Sequence, residues 1–157
     1  MKRKLLFKLV LFISLIFGLS LGSCVTHPPA SFYLPDLVGV WTGTYVANQG
    51  ETGLTLTVWE ENGNYRAIFH FYHLPGITQT WIMPEGMEGS YYMIVTSNRA
   101  TRRYNLIGTE WIHRPGPNWF FVDLEGLVHG DVFSGTVLRG TGGTISGDFR
   151  FRVVRQR

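Results

Sequence analysis

The chain has 157 residues, 45% of them hydrophobic and 15% aromatic, with a single cysteine and a formal net charge of +3. The length suits one domain, and one cysteine excludes an internal disulfide framework. Four of the fourteen basic residues are Lys2, Arg3, Lys4 and Lys8; the remainder is ten arginines against eleven carboxylates, a balance that removes the electrostatic case for nucleic acid.

The first element is a basic start followed by an apolar run from Leu5 to Leu21 and a small-residue exit, the three parts of a secretory signal. The run is shorter than the ~20 residues that a spanning helix needs, and Lys8 interrupts it. Its exit, Leu21-Gly22-Ser23-Cys24, resembles the lipobox of bacterial lipoproteins. That resemblance implies cleavage before Cys24 and acylation of its thiol, which explains a cysteine with no partner. It places the protein in the cell envelope, anchored to the membrane by N-terminal lipid. Val25 is not the aspartate associated with inner-membrane retention, so the outer membrane is the expected address in a host with two membranes. Residues 24–36 carry prolines at 28, 29 and 35 and read as a tether, reaching roughly 35 Å at ~3.1 Å per residue.

From residue 37 onward no amphipathic helix is evident, and period-two runs alternate with turn residues. Strands are expected at Val38–Ala47, Leu54–Glu60, Tyr65–His73, Met87–Thr96, Tyr104–His113, Trp119–His129, Val132–Leu138 and Thr144–Val154. Asn62-Gly63 is the signal of a tight hairpin, and Gly130-Asp131 and the glycines of 140–143 read as further turns. The expected fold is all-β, a roughly eight-stranded antiparallel up-and-down barrel over residues 37–157.

Closure is suggested by "WTGTY" (41–45), "FSGTV" (133–137) and "ISGDF" (145–149), each with a glycine between two larger apolar residues on one strand face. Interior strand glycine is destabilising unless something requires it, and the crowded concave side of a strongly coiled sheet does. The same phase turns inward Trp41 and Tyr45, Leu54, Leu56 and Val58, Ala67, Phe69 and Phe71, and Tyr91, Met93 and Val95. It continues with Leu106, Glu110, Phe120, Val122, Leu124, Phe133, Val137, Phe149, Phe151 and Val153.

Two further resemblances rest on these residues. Gly39-x-Trp41, with Arg150 and Arg152 in the last strand, resembles the Gly-x-Trp and closing arginine of the calycin barrels, which include lipocalins and avidins. "GVWTGTY" (39–45), "NQGETGLTLTV" (48–58), "GTEWIHRP" (108–115) and "FVDLEGLV" (121–128) are similar to a small bacterial module of exported proteins, sometimes found beside caspase-like peptidase domains. That similarity implies an extracytoplasmic β domain.

No catalytic motif is present. There is no Gly-x-Ser-x-Gly elbow, Ser134 and Ser146 adjoin strand glycines, and Cys24 is committed to lipid. His70 and His73 fall on opposite faces of one strand and cannot share a metal, so neither metal nor cofactor is expected. Glu110 on the inner face would need a partner or a proton, which marks it as a ligand-site residue beside Tyr45 or Tyr91, unless it sits at the barrel rim in water. Trp81 and Trp119, in or beside long loops, suit a small apolar ligand or act as a lid. Arg99, Arg102 and Arg103 gather in one loop that could hold an anion or lean on lipid headgroups.

The leading expectation is a lipid-anchored envelope protein binding a small hydrophobic or amphiphilic ligand, or a partner surface, with Trp41, Tyr45, Trp81, Tyr91, Glu110 and Trp119 at the site. The alternative is an accessory lipoprotein whose interior is filled by its many phenylalanines. An enzyme ranks third.

Overall fold

A computed structural model describes residues 36–76, 83–139 and 149–157. Cys24, the tether up to residue 35, Trp81 and the glycine of "ISGDF" lie outside the described residues. Period-two alternation resolves into eight strands: β1 Gly39–Ala47, β2 Gly50–Glu61, β3 Asn64–Tyr72, β4 Glu88–Asn98, β5 Arg103–His113, β6 Val122–His129, β7 Val132–Arg139 and β8 Arg150–Arg155. Each pairs antiparallel with its sequence neighbour. β1 pairs with β8 from Trp41↔Arg155 to Tyr45↔Phe151, closing an up-and-down barrel.

Turn chemistry fixes the register. Between β2 and β3 the loop is Asn62-Gly63, both with positive φ (52° and 76°), the two-residue turn whose twist matches the strands it joins. The β4–β5 turn is held by the Asn98 carboxamide, whose Oδ1 accepts from the N–H groups of Ala100 and Thr101. These turns and the β6–β7 turn lie at one end of the barrel, together with the chain entry at residues 36–38 and the chain exit at 155–157. The connections β1–β2, β3–β4, β5–β6 and β7–β8 lie at the other.

The inward phase holds along most strands. Trp41, Leu54, Leu56, Ala67, Phe69, Leu106, Phe133 and Val153 are all buried in one core cluster. Full burial of such a side chain contributes about 1.5–3 kcal/mol, so this lining is the main stabilising term. At the closed end Trp41, Tyr104 and Phe151 surround Phe133 with edge-on ring contacts of 4.8–6.4 Å. Toward the other end Phe69 stacks on Tyr91 at 4.8 Å and meets Tyr45 edge-on at 5.2 Å.

Two of the expected strand glycines sit where backbones nearly touch. A Cβ on Gly43 would overlap the Arg152 carbonyl oxygen and the Val153 Cα; one on Gly135 would overlap the Glu125 carbonyl oxygen and the Gly126 Cα. Here the cause is close approach of neighbouring strands in a tightly coiled wall.

Three expectations are corrected. Glu110 is exposed on the outer face, because two β-bulges interrupt β5. Met93 pairs with Gly108 but Tyr92 pairs with Glu110, leaving Thr109 as an extra residue; Ile112 is extra in the same way. Each bulge reverses the facing of the residues beyond it, so Trp111 turns inward opposite Tyr91. Phe120 is 64% exposed rather than inward, because β6 begins only at Val122 and the alternation does not extend into the preceding loop. The arginine beside Trp41 is Arg155, whereas Arg150 and Arg152 are exposed on the outer face of β8.

Candidate functional site

The closed end is sealed from below by the chain's own entry. Leu37 is fully buried, and its carbonyl accepts a 2.9 Å hydrogen bond from Trp41 Nε1. Arg155 lies over the Trp41 ring at 4.2 Å and donates to the carbonyls of Val38 and Asp36. Trp41 is therefore a closing residue at the base and does not meet the other predicted ligand residues.

The opposite end holds a cavity of about 430 Å³. Its wall is aromatic, with Tyr45, Phe71, Tyr91, Trp119, Phe121 and Phe149, joined by Val122, Val137 and Ala47. Trp119 stacks on Phe71 at 5.0 Å and 23°, while Phe121 stacks on Trp111 at 5.0 Å and 25°. Phe120 and three carboxamides, Asn48, Gln49 and Asn118, complete the lining, and the described lining carries no formal charge. Gln49 is buried and its Nε2 donates to the Tyr45 hydroxyl at 2.7 Å. Burial raises the Tyr45 phenol well above its ordinary value despite hydrogen bonds from Thr52 and Gln49.

Trp119 is presented by a loop that sequence alone reads as the start of a strand. Residues 114–121 turn through Pro115, Gly116 and Pro117, and the Arg114 guanidinium donates to the carbonyls of Pro117 (2.6 Å) and Trp119 (2.8 Å). The same guanidinium lies 5.7 Å from the Trp111 ring centre. Arg114 is thus engaged with its own loop.

The cavity wall also contains the shortest ladder among the described strand pairs. β5 and β6 are paired only at Tyr104↔Gly126, Asn105↔Glu125 and Leu106↔Leu124. Beyond Leu106 side chains replace the ladder. The Gly108 N–H donates to Asp123 Oδ1 at 2.9 Å, and the Tyr91 hydroxyl crosses from β4 to donate to the Val122 carbonyl (2.9 Å) and accept from its N–H (3.2 Å). Burial raises the Tyr91 phenol, with Tyr45 adding to the effect and the Val122 bond opposing it. Burial also raises the Asp123 carboxyl, opposed by the Gly108 bond.

Of the residues predicted from sequence, Tyr45, Tyr91 and Trp119 meet in this cavity. Glu110 lies on the outer wall and Trp81 and Cys24 outside the described residues. Arg99, Arg102 and Arg103 lie at the closed end, remote from the cavity in the topology; Arg103 pairs with Glu125 at 3.1 Å, and Arg102 occupies a turn position with φ 57°. His70 pairs with Glu88 at 3.2 Å on the outer face. Among the described residues no group of three histidine, cysteine or carboxylate side chains is placed to hold a metal.

Sequence reasoning missed Gln49, Asn118, Phe121 and Trp111. The available signal was parity, because in an up-and-down barrel every second connection falls at the same end, which groups Asn48-Gln49 with Asn118 and Trp119.

A scan against protein-family models, a search of curated proteins and a search of solved structures each give no match to this chain.

Proposed function

We propose that this chain is a lipid-anchored envelope protein whose barrel binds a small hydrophobic or amphiphilic ligand at its open end. The observation that carries the binding reading is the aromatic cavity at the mouth, whose volume falls within the ~300–1,000 Å³ of small-molecule sites. The buried core cluster confines this site to the mouth. A barrel that is accessory only would have no need to leave an aromatic wall open beside three carboxamides.

The anchoring part rests on the sequence, on the lipobox-like Leu21-Gly22-Ser23-Cys24 and the basic, apolar segment before it.

Native mass spectrometry of the full chain, purified from membranes, tests both parts. A co-purifying small molecule lost in Trp119→Ala, together with the mass of an acylated Cys24, is the expected result. A chain that carries no adduct and takes up none of a panel of small ring compounds overturns the binding reading. Retention of Cys24→Ala in the membrane fraction overturns the anchor.

A further inference from the structure

We infer that the mouth cavity selects an uncharged ligand with a flat ring, held by stacking against Trp119 and by hydrogen bonds from carboxamides; this rests on the binding reading above. Trp119 and Phe71 form a nearly parallel pair at 5.0 Å. Phe71, Tyr45 and Tyr91 are buried and form the floor, so the rings open to a ligand are Trp119 and its neighbours Phe120 and Phe121. Flat faces favour an offset-stacked or edge-on ring over a flexible alkyl chain, because ring contacts add about 0.5–1.5 kcal/mol beyond area burial.

The polar part of the lining fixes the charge of the occupant. Asn48 and Asn118 each carry both a donor and an acceptor at the rim, which suits hydroxyl, amide or carbonyl groups. A carboxylate or phosphate moved into this wall would give up its water without gaining a cation, and an ammonium would find no carboxylate. The cation of the adjoining loop, Arg114, is engaged by the carbonyls of Pro117 and Trp119.

The test is equilibrium dialysis of the full chain in lipid nanodiscs, with empty discs as blank, against the isosteric pair 2-naphthamide and 2-naphthoate. The amide is expected to bind at least tenfold more tightly than the carboxylate. Trp119→Ala should weaken the amide at least tenfold, and Asn118→Lys should strengthen the carboxylate at least fivefold. Equal or tighter binding of the carboxylate by the unaltered chain overturns the selection while leaving a binding site in place. If neither compound binds, the inference falls and the binding reading falls with it.

Discussion

The guanidinium of Arg155 lies 4.2 Å from the centre of the Trp41 ring and ties the last strand to the residues that precede the first. It also donates to the carbonyls of Asp36 and Val38, so one side chain joins both ends of the barrel domain. A cation–π contact contributes ~0.5–2 kcal/mol and each hydrogen bond from a charged group ~1.5–3 kcal/mol. Arg155→Ala is expected to cost about 2–4 kcal/mol on that basis, and Arg155→Lys roughly half, because an ammonium cannot stack and fork at once. Urea denaturation checks both; equal stability of the lysine variant and the unaltered chain would refute the geometric argument.

The strand glycines make a sharper prediction. At Gly43 and Gly135 an added methyl group meets backbone rather than a movable side chain. Alanine at either position should cost more than about 3 kcal/mol or prevent folding, in the range of severe overpacking. Gly116 is the control, since a Cβ there would meet only Trp119 Cδ1 at 3.7 Å. Gly116→Ala should stay within about 0.5 kcal/mol. Similar effects at all three positions would mean that coiling does not explain the glycines.

At the β5–β6 seam, Tyr91→Phe keeps the ring and removes the hydroxyl that serves both backbone groups of Val122. Leaving buried polar groups unpaired costs about 1–3 kcal/mol. The local signature is faster hydrogen exchange at the Val122 amide, beyond the change at amides in β7 and β8. A uniform change across the sheet would show that the hydroxyl does not hold the seam.

Asp123 gives a pH dependence with a definite sign. Its carboxyl is raised in the folded chain, so the protonated form is favoured there relative to the unfolded chain. The associated stability is fully present below the unfolded value near 3.9 and is lost as pH rises through the folded value. At neutral pH the half-buried charge is a net cost, only partly offset by the Gly108 N–H. Asp123→Asn keeps an acceptor and removes the charge; thermal melts should show it more stable at pH 7, with the gap closing below about pH 4. Asp123→Ala, which orphans the Gly108 N–H, should lose about 1–2 kcal/mol below about pH 4 and less at pH 7, where the ionised carboxylate is itself a cost. An asparagine variant less stable at pH 7 would show that the charged hydrogen bond outweighs burial.

Much of this fold was legible because one face of every strand is buried, which makes alternation unambiguous. Asn62-Gly63 and the glycines of β1 and β7 carried the turn and the closure. Legibility ended where the backbone left the two-residue repeat. Thr109 and Ile112 are ordinary strand residues in sequence, and nothing in their chemistry announces that each is unpaired. The consequence was an inverted face, with Glu110 expected inside and Trp111 overlooked. Phe120 failed for a related reason, since an aromatic beside a strand looks like its first residue until the loop geometry is known. Trp119 was identifiable as a loop tryptophan beside an open end. Tyr45 and Tyr91 entered only as partners of an inward Glu110, and they lie in the cavity although Glu110 does not. Gln49 and Asn118 have no local pattern, and only the parity of the connections groups them.

The chain enters this barrel at residues 36–38 and leaves it at 155–157, both at the base beneath Trp41. A leash joined to residue 157 therefore grips the cup by its foot, at the end away from the rim. A dye, bead or fusion partner attached through the carboxyl terminus would report on what the rim catches without standing in its way.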